Sequence, residues 1–215
     1  MRTILAVIMM ILVGVSGASA QRRVSSASLG AGEGAIASGI TGIVTFERTD
    51  SSEYGEFAVM QEQAWLAMGK NLHGRKLTGF IAWSVGHYQG SPWVGPYFRF
   101  TVPVAKIGSD EIKVSTMQWP VWYPAYEPKS FREDGVENPE TLLIGYLGDV
   151  SLSYRWVTLG YAKLNFLDLP WNTLPSVALT VPMTEEVSAT SSWTRNVNKK
   201  ADMWYMGLTW VPKKK

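Results

Sequence analysis

Asp202-Met203-Trp204-Tyr205-Met206-Gly207-Leu208-Thr209-Trp210-Val211, close to the C-terminus, alternates strictly. Trp204, Met206, Leu208 and Trp210 share one parity; Tyr205, Gly207 and Thr209 share the other. Successive side chains of a strand point to opposite faces, so a period of two places all the large apolar groups on one face. The same pattern recurs upstream. Over 176–183, Val177, Leu179, Val181 and Met183 oppose Ser176, Ala178 and Thr180. Over 95–106, Phe98, Phe100, Val102 and Val104 oppose Tyr97, Arg99, Thr101 and Ala105. Over 77–88, Leu77, Ile81, Trp83 and Val85 oppose Thr78, Ala82, Ser84 and Gly86.

Weaker strands are expected over 38–48, 111–123 and 141–167. The last is long enough to hold a hairpin, with Gly148-Asp149 or Tyr154-Arg155 as its turn. Parity changes near Thr116, which predicts a bulge. Pro103, Pro120 and Pro182 each predict an edge, a bulge or a strand end. Residues 53–70 read as one short amphipathic helix: Tyr54, Phe57, Met60, Ala64, Trp65 and Met68 recur at helical spacing behind Ser52, a good N-cap. The same residues also satisfy an alternating pattern broken at Glu62. The polar stretches 69–76, 124–140 and 185–201 read as loops.

The 215 residues include no cysteine, which excludes disulfide scaffolds, thiolate metal sites and thiol nucleophiles. With 18% charged residues and a formal net charge of +2, nothing points to nucleic acid, which needs a basic face. Arg2, the apolar run 4–17 and Ala18-Ser19-Ala20 have the layout of a secretory signal peptide over 1–20. Residues 21–35, rich in Ser, Ala and Gly, are expected to be a flexible leader. A single β domain is then expected over 36–212, with a basic tail at 213–215.

An exported, strand-rich chain either turns its apolar faces inward, as a soluble sandwich or lipocalin-like domain binding a hydrophobic ligand or glycan, or outward to lipid. The opposing faces here are Thr, Ser, Gly and Ala with few charges, where a water-facing wall would carry Lys and Glu. Lipid is favoured. Phe98, Phe100, Val102, Val104, Val177, Leu179, Val181 and Leu208 are then the expected membrane-facing residues. Trp83, Tyr88, Trp93, Trp119, Trp122, Trp204 and Trp210 are the expected interfacial girdle, joined by Tyr97, Tyr123 and Trp171. Outer-membrane lipid or lipopolysaccharide is the expected partner.

With its alternating last strand ending on Trp210, the chain resembles the small Gram-negative outer-membrane β-barrels over roughly 77–211. That resemblance is to a class and not to one family. It implies an all-β, antiparallel up-and-down barrel of about eight strands, nine or ten if 53–70 is not helical. It departs from the class in the Val211-Pro212 and lysines that follow Trp210, and in placing the long loop 124–140 on the periplasmic side of an eight-strand count. An eight-strand barrel is filled by its own side chains, so the role expected is structural, adhesive or surface-binding.

Little catalytic chemistry is legible. His73 lies in a Gly-rich connection and His87 ends a strand; no Gly-x-Ser-x-Gly elbow accompanies them, although a barrel-borne lipid hydrolase would use such a histidine. The acidic groups Asp50/Glu53/Glu56, Glu133/Asp134/Glu137 and Glu185/Glu186 lack calcium-loop spacing and read as solvated charge. Glycines 30 to 42 match no phosphate or dinucleotide fingerprint, and no cofactor is expected. Lys199, Lys200 and Lys213 to Lys215 are basic groups that suit anionic lipid headgroups.

Overall fold

The computed structural model describes residues 22–33, 39–60, 63–88, 91–124, 143–165 and 171–213. These form twelve antiparallel strands: β1 (Arg22–Glu33), β2 (Gly39–Arg48), β3 (Glu53–Val59), β4 (Gln63–His73), β5 (Thr78–Tyr88), β6 (Ser91–Ile107), β7 (Asp110–Tyr123), β8 (Leu143–Tyr154), β9 (Val157–Asn165), β10 (Asn172–Pro182), β11 (Val187–Asn196) and β12 (Ala201–Trp210). Each pairs with its sequence neighbours, and β1 pairs with β12, so the sheet closes on itself.

This corrects the expected count of about eight. Residues 53–70 are not a helix but the hairpin β3–β4, with Trp65 and Ala67 buried between exposed Leu66 and Met68. The flexible leader expected over 21–35 is largely strand β1, the piece that seals the barrel against β12. Most of the loop expected at 185–201 is strand β11. No helix occurs among the described residues. The expected signal peptide lies outside them.

Strand count sets the bore. Strands about 4.8 Å apart and tilted by about 40° close twelve-fold on a cylinder roughly 24 Å across at the backbone, against about 16 Å for eight.

Both ends of the described chain meet at one rim, where β1 starts and β12 ends. The turns at this rim are short: 49–52, 74–77, 108–109, 155–156 and 183–186. Their corners are Ser51 (φ 58°), Gly108 (φ 64°) and Arg155 (φ 51°), each in the left-handed region. The hairpin inside 141–167 therefore turns at Arg155, and Gly148-Asp149 is mid-strand. The stretch 124–140 joins strands that end at the far rim, so its twelve-strand position is opposite the one an eight-strand count implied.

Two of the three proline expectations hold: the β6–β7 register shifts between Pro103 and Ala105, and Pro182 ends β10. Pro120 is at neither an edge, a bulge nor a strand end; it lies inside β7, paired with Tyr146 of β8 in unbroken register, where the β6 side has no paired residue between Val94 and Phe98. The parity change in 111–123 is not a bulge, because β7 pairs with β8 without a shift. It arises because the large residues move from the outer wall (Val114) to the inner (Met117, Trp119, Val121, Tyr123).

The outer wall is apolar and open. Leu29, Ile81, Trp83, Val85, Val150, Leu159, Val177, Leu179, Met206 and Leu208 are among the large hydrophobic side chains exposed on it. A soluble monomer rarely exposes a continuous apolar surface of that extent. Polar groups on this wall satisfy one another. Gln118 donates to the Thr116 hydroxyl at 2.9 Å, Tyr146 donates to the Gln118 carbonyl, and Thr116 donates to the Asp149 backbone carbonyl at 2.8 Å. Such pairing is what a non-aqueous exterior demands.

Candidate functional site: an eccentric lumen

The inward side chains divide the barrel into two unlike halves. From β3 to β7 they are large. Tyr54, Trp65, Phe80, Trp93, Tyr97, Trp119 and Tyr123 are all buried, with Ala58, Ala67, Ala82 and Val121 between them. The small residues are what let the rings fit: Ala82 is the register partner of Tyr97, and Ala58 that of Trp65. Tyr54 stacks on Phe80 at a centroid distance of 3.7 Å, and Trp119 meets Trp65, Trp93 and Tyr97 at 4.9–5.1 Å. The polar tips of these rings are held. Trp119 donates its indole N–H to the Ser84 hydroxyl at 2.8 Å, and Ser84 donates onward to the Gly95 carbonyl at 2.8 Å. The buried Glu56 carboxylate accepts from Tyr54 at 2.6 Å and from Trp65 at 2.8 Å.

The opposite half is small and hydroxylic. Inward positions are Thr158, Gly160 and Ala162 on β9; Ser176, Ala178 and Thr180 on β10; Ser188, Thr190, Ser192 and Thr194 on β11; and Ser28, Gly30 and Gly32 on β1, while toward the far rim the same faces of β9–β11 carry the buried Leu164, Leu174, Asn172 and Asn196. Most are partly solvent-accessible although enclosed by the barrel. In a ring of twelve, β11 stands opposite β5. The hydroxyl strand thus faces the aromatic one, and the free cross-section is displaced toward β9–β1.

Charge enters this space at few points. Near the rim that holds the termini, Glu111 and Lys113 share the inward parity of β7 and pair with each other at 3.5 Å. At the same rim, Arg23 donates from Nε and Nη2 to one carboxylate oxygen of Glu47, at 3.1 and 2.8 Å. Arg99 projects from β6, exposed to the lumen, with its guanidinium 3.8 Å from the Met117 sulfur. Asp149 projects from β8 and accepts from the Met117 backbone N–H at 3.2 Å. Asp149 and Glu56 both act electrostatically on Arg99.

The expected membrane-facing residues sit on the outer wall. Val104, Val177, Leu179, Val181 and Leu208 are exposed there, and Phe98, Phe100 and Val102 are partly covered by neighbours. The expected girdle divides. Trp83, Trp204 and Trp210 are exposed outside, and Trp122 lies half-buried on the outer parity. Trp93 and Trp119, with Tyr97 and Tyr123, are instead inside the aromatic half, where no membrane interface reaches. The Tyr88 side chain falls outside the described residues.

The histidines are not brought together. His73 contacts the Ser51 carbonyl at 2.8 Å at the rim with the termini, and His87 is on the outer wall facing Ala64. The acidic groups separate likewise. Asp50 caps its own turn, Glu56 faces inward, Glu185 pairs with Lys213, and Glu186 accepts from Trp210 at 3.2 Å. Hydrogen bonds from the Ser52 hydroxyl and N–H hold the Asp50 carboxyl below its ordinary range, helped by Arg48. Glu133, Asp134 and Glu137 lie outside the described residues. No metal-binding group of three side chains occurs among the described residues.

A closed antiparallel barrel with an apolar exterior and a polar, partly open interior is the architecture of outer-membrane β-barrel porins. The KdgM porin in complex with disordered oligogalacturonate matches with a TM-score of 0.59 at 11% identity, covering 87% of this chain and 99% of that one. The NanC porin matches with a TM-score of 0.61 at 10% identity, covering 88% and 100%. At such identities the likeness is one of fold. No protein-family model matches the sequence, and no curated protein does.

Proposed function

We propose that the chain is a channel of the bacterial outer membrane that passes small hydrophilic solutes. The observation that carries this reading is the inner wall of β9–β11 and β1 between the rim with the termini and the buried Leu164, Asn172, Leu174 and Asn196, lined by Ser, Thr, Gly and Ala and for the most part solvent-accessible. Hydroxyls offer donors and acceptors without fixed charge, and small side chains leave the bore unfilled. The exposed apolar outer wall supports a lipid environment, with lipid or lipopolysaccharide as its surroundings. The structural or adhesive role rested on an eight-strand barrel packed shut, and twelve strands remove that premise.

The test is electrical. The protein is inserted in a planar bilayer in potassium chloride, beside an equal amount that has been boiled. Stepwise ohmic conductance from the unboiled sample alone supports the channel. A folded, membrane-inserted barrel without conductance steps, and without swelling of sugar-loaded liposomes, overturns it.

A further inference from the structure

Arg99, Met117 and Asp149 are successive register partners on β6, β7 and β8, so three inward side chains stand side by side at one level of the wall. Strand spacing places the outer two roughly 10 Å apart at the backbone. Neither makes an ion pair among the described residues. Arg99 spends one donor on a thioether, a weak acceptor, and Asp149 accepts one backbone N–H. Most of both heads' hydrogen-bonding capacity is therefore left to the lumen. Across the bore, strands β12, β1 and β2 face them at this wall's opposite pole, with Ser28, Gly30 and Gly207 among their inward residues, and the charges these strands do carry inward, Arg23 and Glu47, are paired with each other near the rim. The nearby Glu56 is buried and held by Tyr54 and Trp65.

We infer that Arg99 and Asp149 act as a separated charge pair that sets the channel's ionic preference and suits it to small solutes that are neutral or carry both signs. This rests on the channel reading above. A cation passing the pair is repelled by Arg99 and attracted by Asp149, and an anion the reverse, so an ion of one sign gains little. A zwitterion offers its carboxylate to the guanidinium and its ammonium to the carboxylate, gaining from both.

The test is the reversal potential in a potassium chloride gradient. Arg99→Gln should raise the potassium-to-chloride permeability ratio by about fivefold, and Asp149→Asn should lower it by a similar factor, the size expected for one unit charge about 5 Å away in water, screened over a Debye length of about 10 Å and acting with opposite sign on the two ions. A second measurement leaves both native charges in place. The chain has no cysteine, so Met117→Cys supplies a unique thiol between them. A sulfonate-bearing thiol reagent should shift the ratio toward potassium, and a trimethylammonium-bearing one toward chloride. Liposome swelling should be faster with glycine than with lactate or ethanolammonium. Conductance like that of the parent with unmoved ratios in all three variants overturns the inference and leaves the channel standing; equal or slower glycine entry overturns its solute class. A parent protein without conductance overturns the channel reading itself, and this inference with it.

Discussion

Trp119 donates its indole N–H to Ser84 across 2.8 Å, inside the barrel. Two strands, β5 and β7, are thereby tied across β6, because Ser84 also donates to the Gly95 carbonyl at 2.8 Å. Ser84 is fully buried and Trp119 nearly so. Ser84→Ala leaves a buried N–H without its acceptor, which costs about 1–3 kcal/mol. Urea unfolding from lipid vesicles, followed by tryptophan fluorescence, should show that loss as a lower midpoint with an unchanged slope. An unchanged midpoint would mean that lumen water replaces the hydroxyl.

Leu179 and Thr180 are neighbours in β10 with opposite orientations: Leu179 is exposed outside and Thr180 bonds the Thr190 hydroxyl inside at 3.1 Å. Arginine at the two positions should therefore have different consequences. Leu179→Arg should lower the folding free energy in vesicles by about 2–4 kcal/mol if the residue lies near the bilayer midplane. Thr180→Arg should fold near normally and reduce single-channel conductance, since its side chain enters the bore. Equal folding losses from the two would contradict the assigned orientation of β10.

The same asymmetry that makes the lumen explains which strands the sequence shows. β10 and β12 keep small polar residues inside and apolar ones outside, so their period of two is plain. In β3, β4 and the far half of β7 the inner face is also apolar. Phe57-Ala58-Val59 and Trp65-Leu66-Ala67-Met68 are hydrophobic on both faces, the alternation vanishes, and a helical spacing emerges by coincidence. In β11 the opposite holds. Ser188, Thr190, Ser192 and Thr194 face inward while Ala189 and Ser191 face outward, so a strand of 10 residues reads as a loop. β1 is hidden likewise by its Ser, Ala and Gly. The strands that most define the site are thus those least visible by periodicity. Losing them shortens the count to eight and closes the pore. Trp93 and Trp119 carried no sign of their inward parity, because tryptophan suits an interface and a packed interior equally.

Asp50 gives a pH prediction with a defined sign. Its carboxylate accepts from the Ser52 hydroxyl at 2.6 Å and from the Ser52 N–H at 2.9 Å, and its pKa in the folded protein is lowered from 3.8. A depressed pKa means the unfolded chain binds the proton more readily, so the contribution is complete above about pH 4 and is lost as pH falls through the folded value. Asp50→Asn should flatten that part of the profile. The temperature at which the barrel loses its fast gel mobility, measured between pH 2.5 and 6, should fall more steeply at the acid end for the parent than for the variant. Parallel curves would show that the turn does not contribute.

Tyr205 lies against the wall of β12 and β1, its ring over Gly207 and Gly30, where an added Cβ at either glycine would run into the ring. The two glycines face each other in the β1–β12 register, and their lack of side chains forms the recess that keeps this ring out of the bore. Gly207→Val should push Tyr205 toward the lumen axis and lower the single-channel conductance, with the outer wall unchanged. Removing the ring as well, in Gly207→Val/Tyr205→Ala, should restore it to the parent level or above. If the single variant lowers conductance and the double variant does not recover, the valine itself narrows the path. If neither changes conductance, the current runs elsewhere than along β12 and β1, contrary to the eccentric bore that their small inward residues imply.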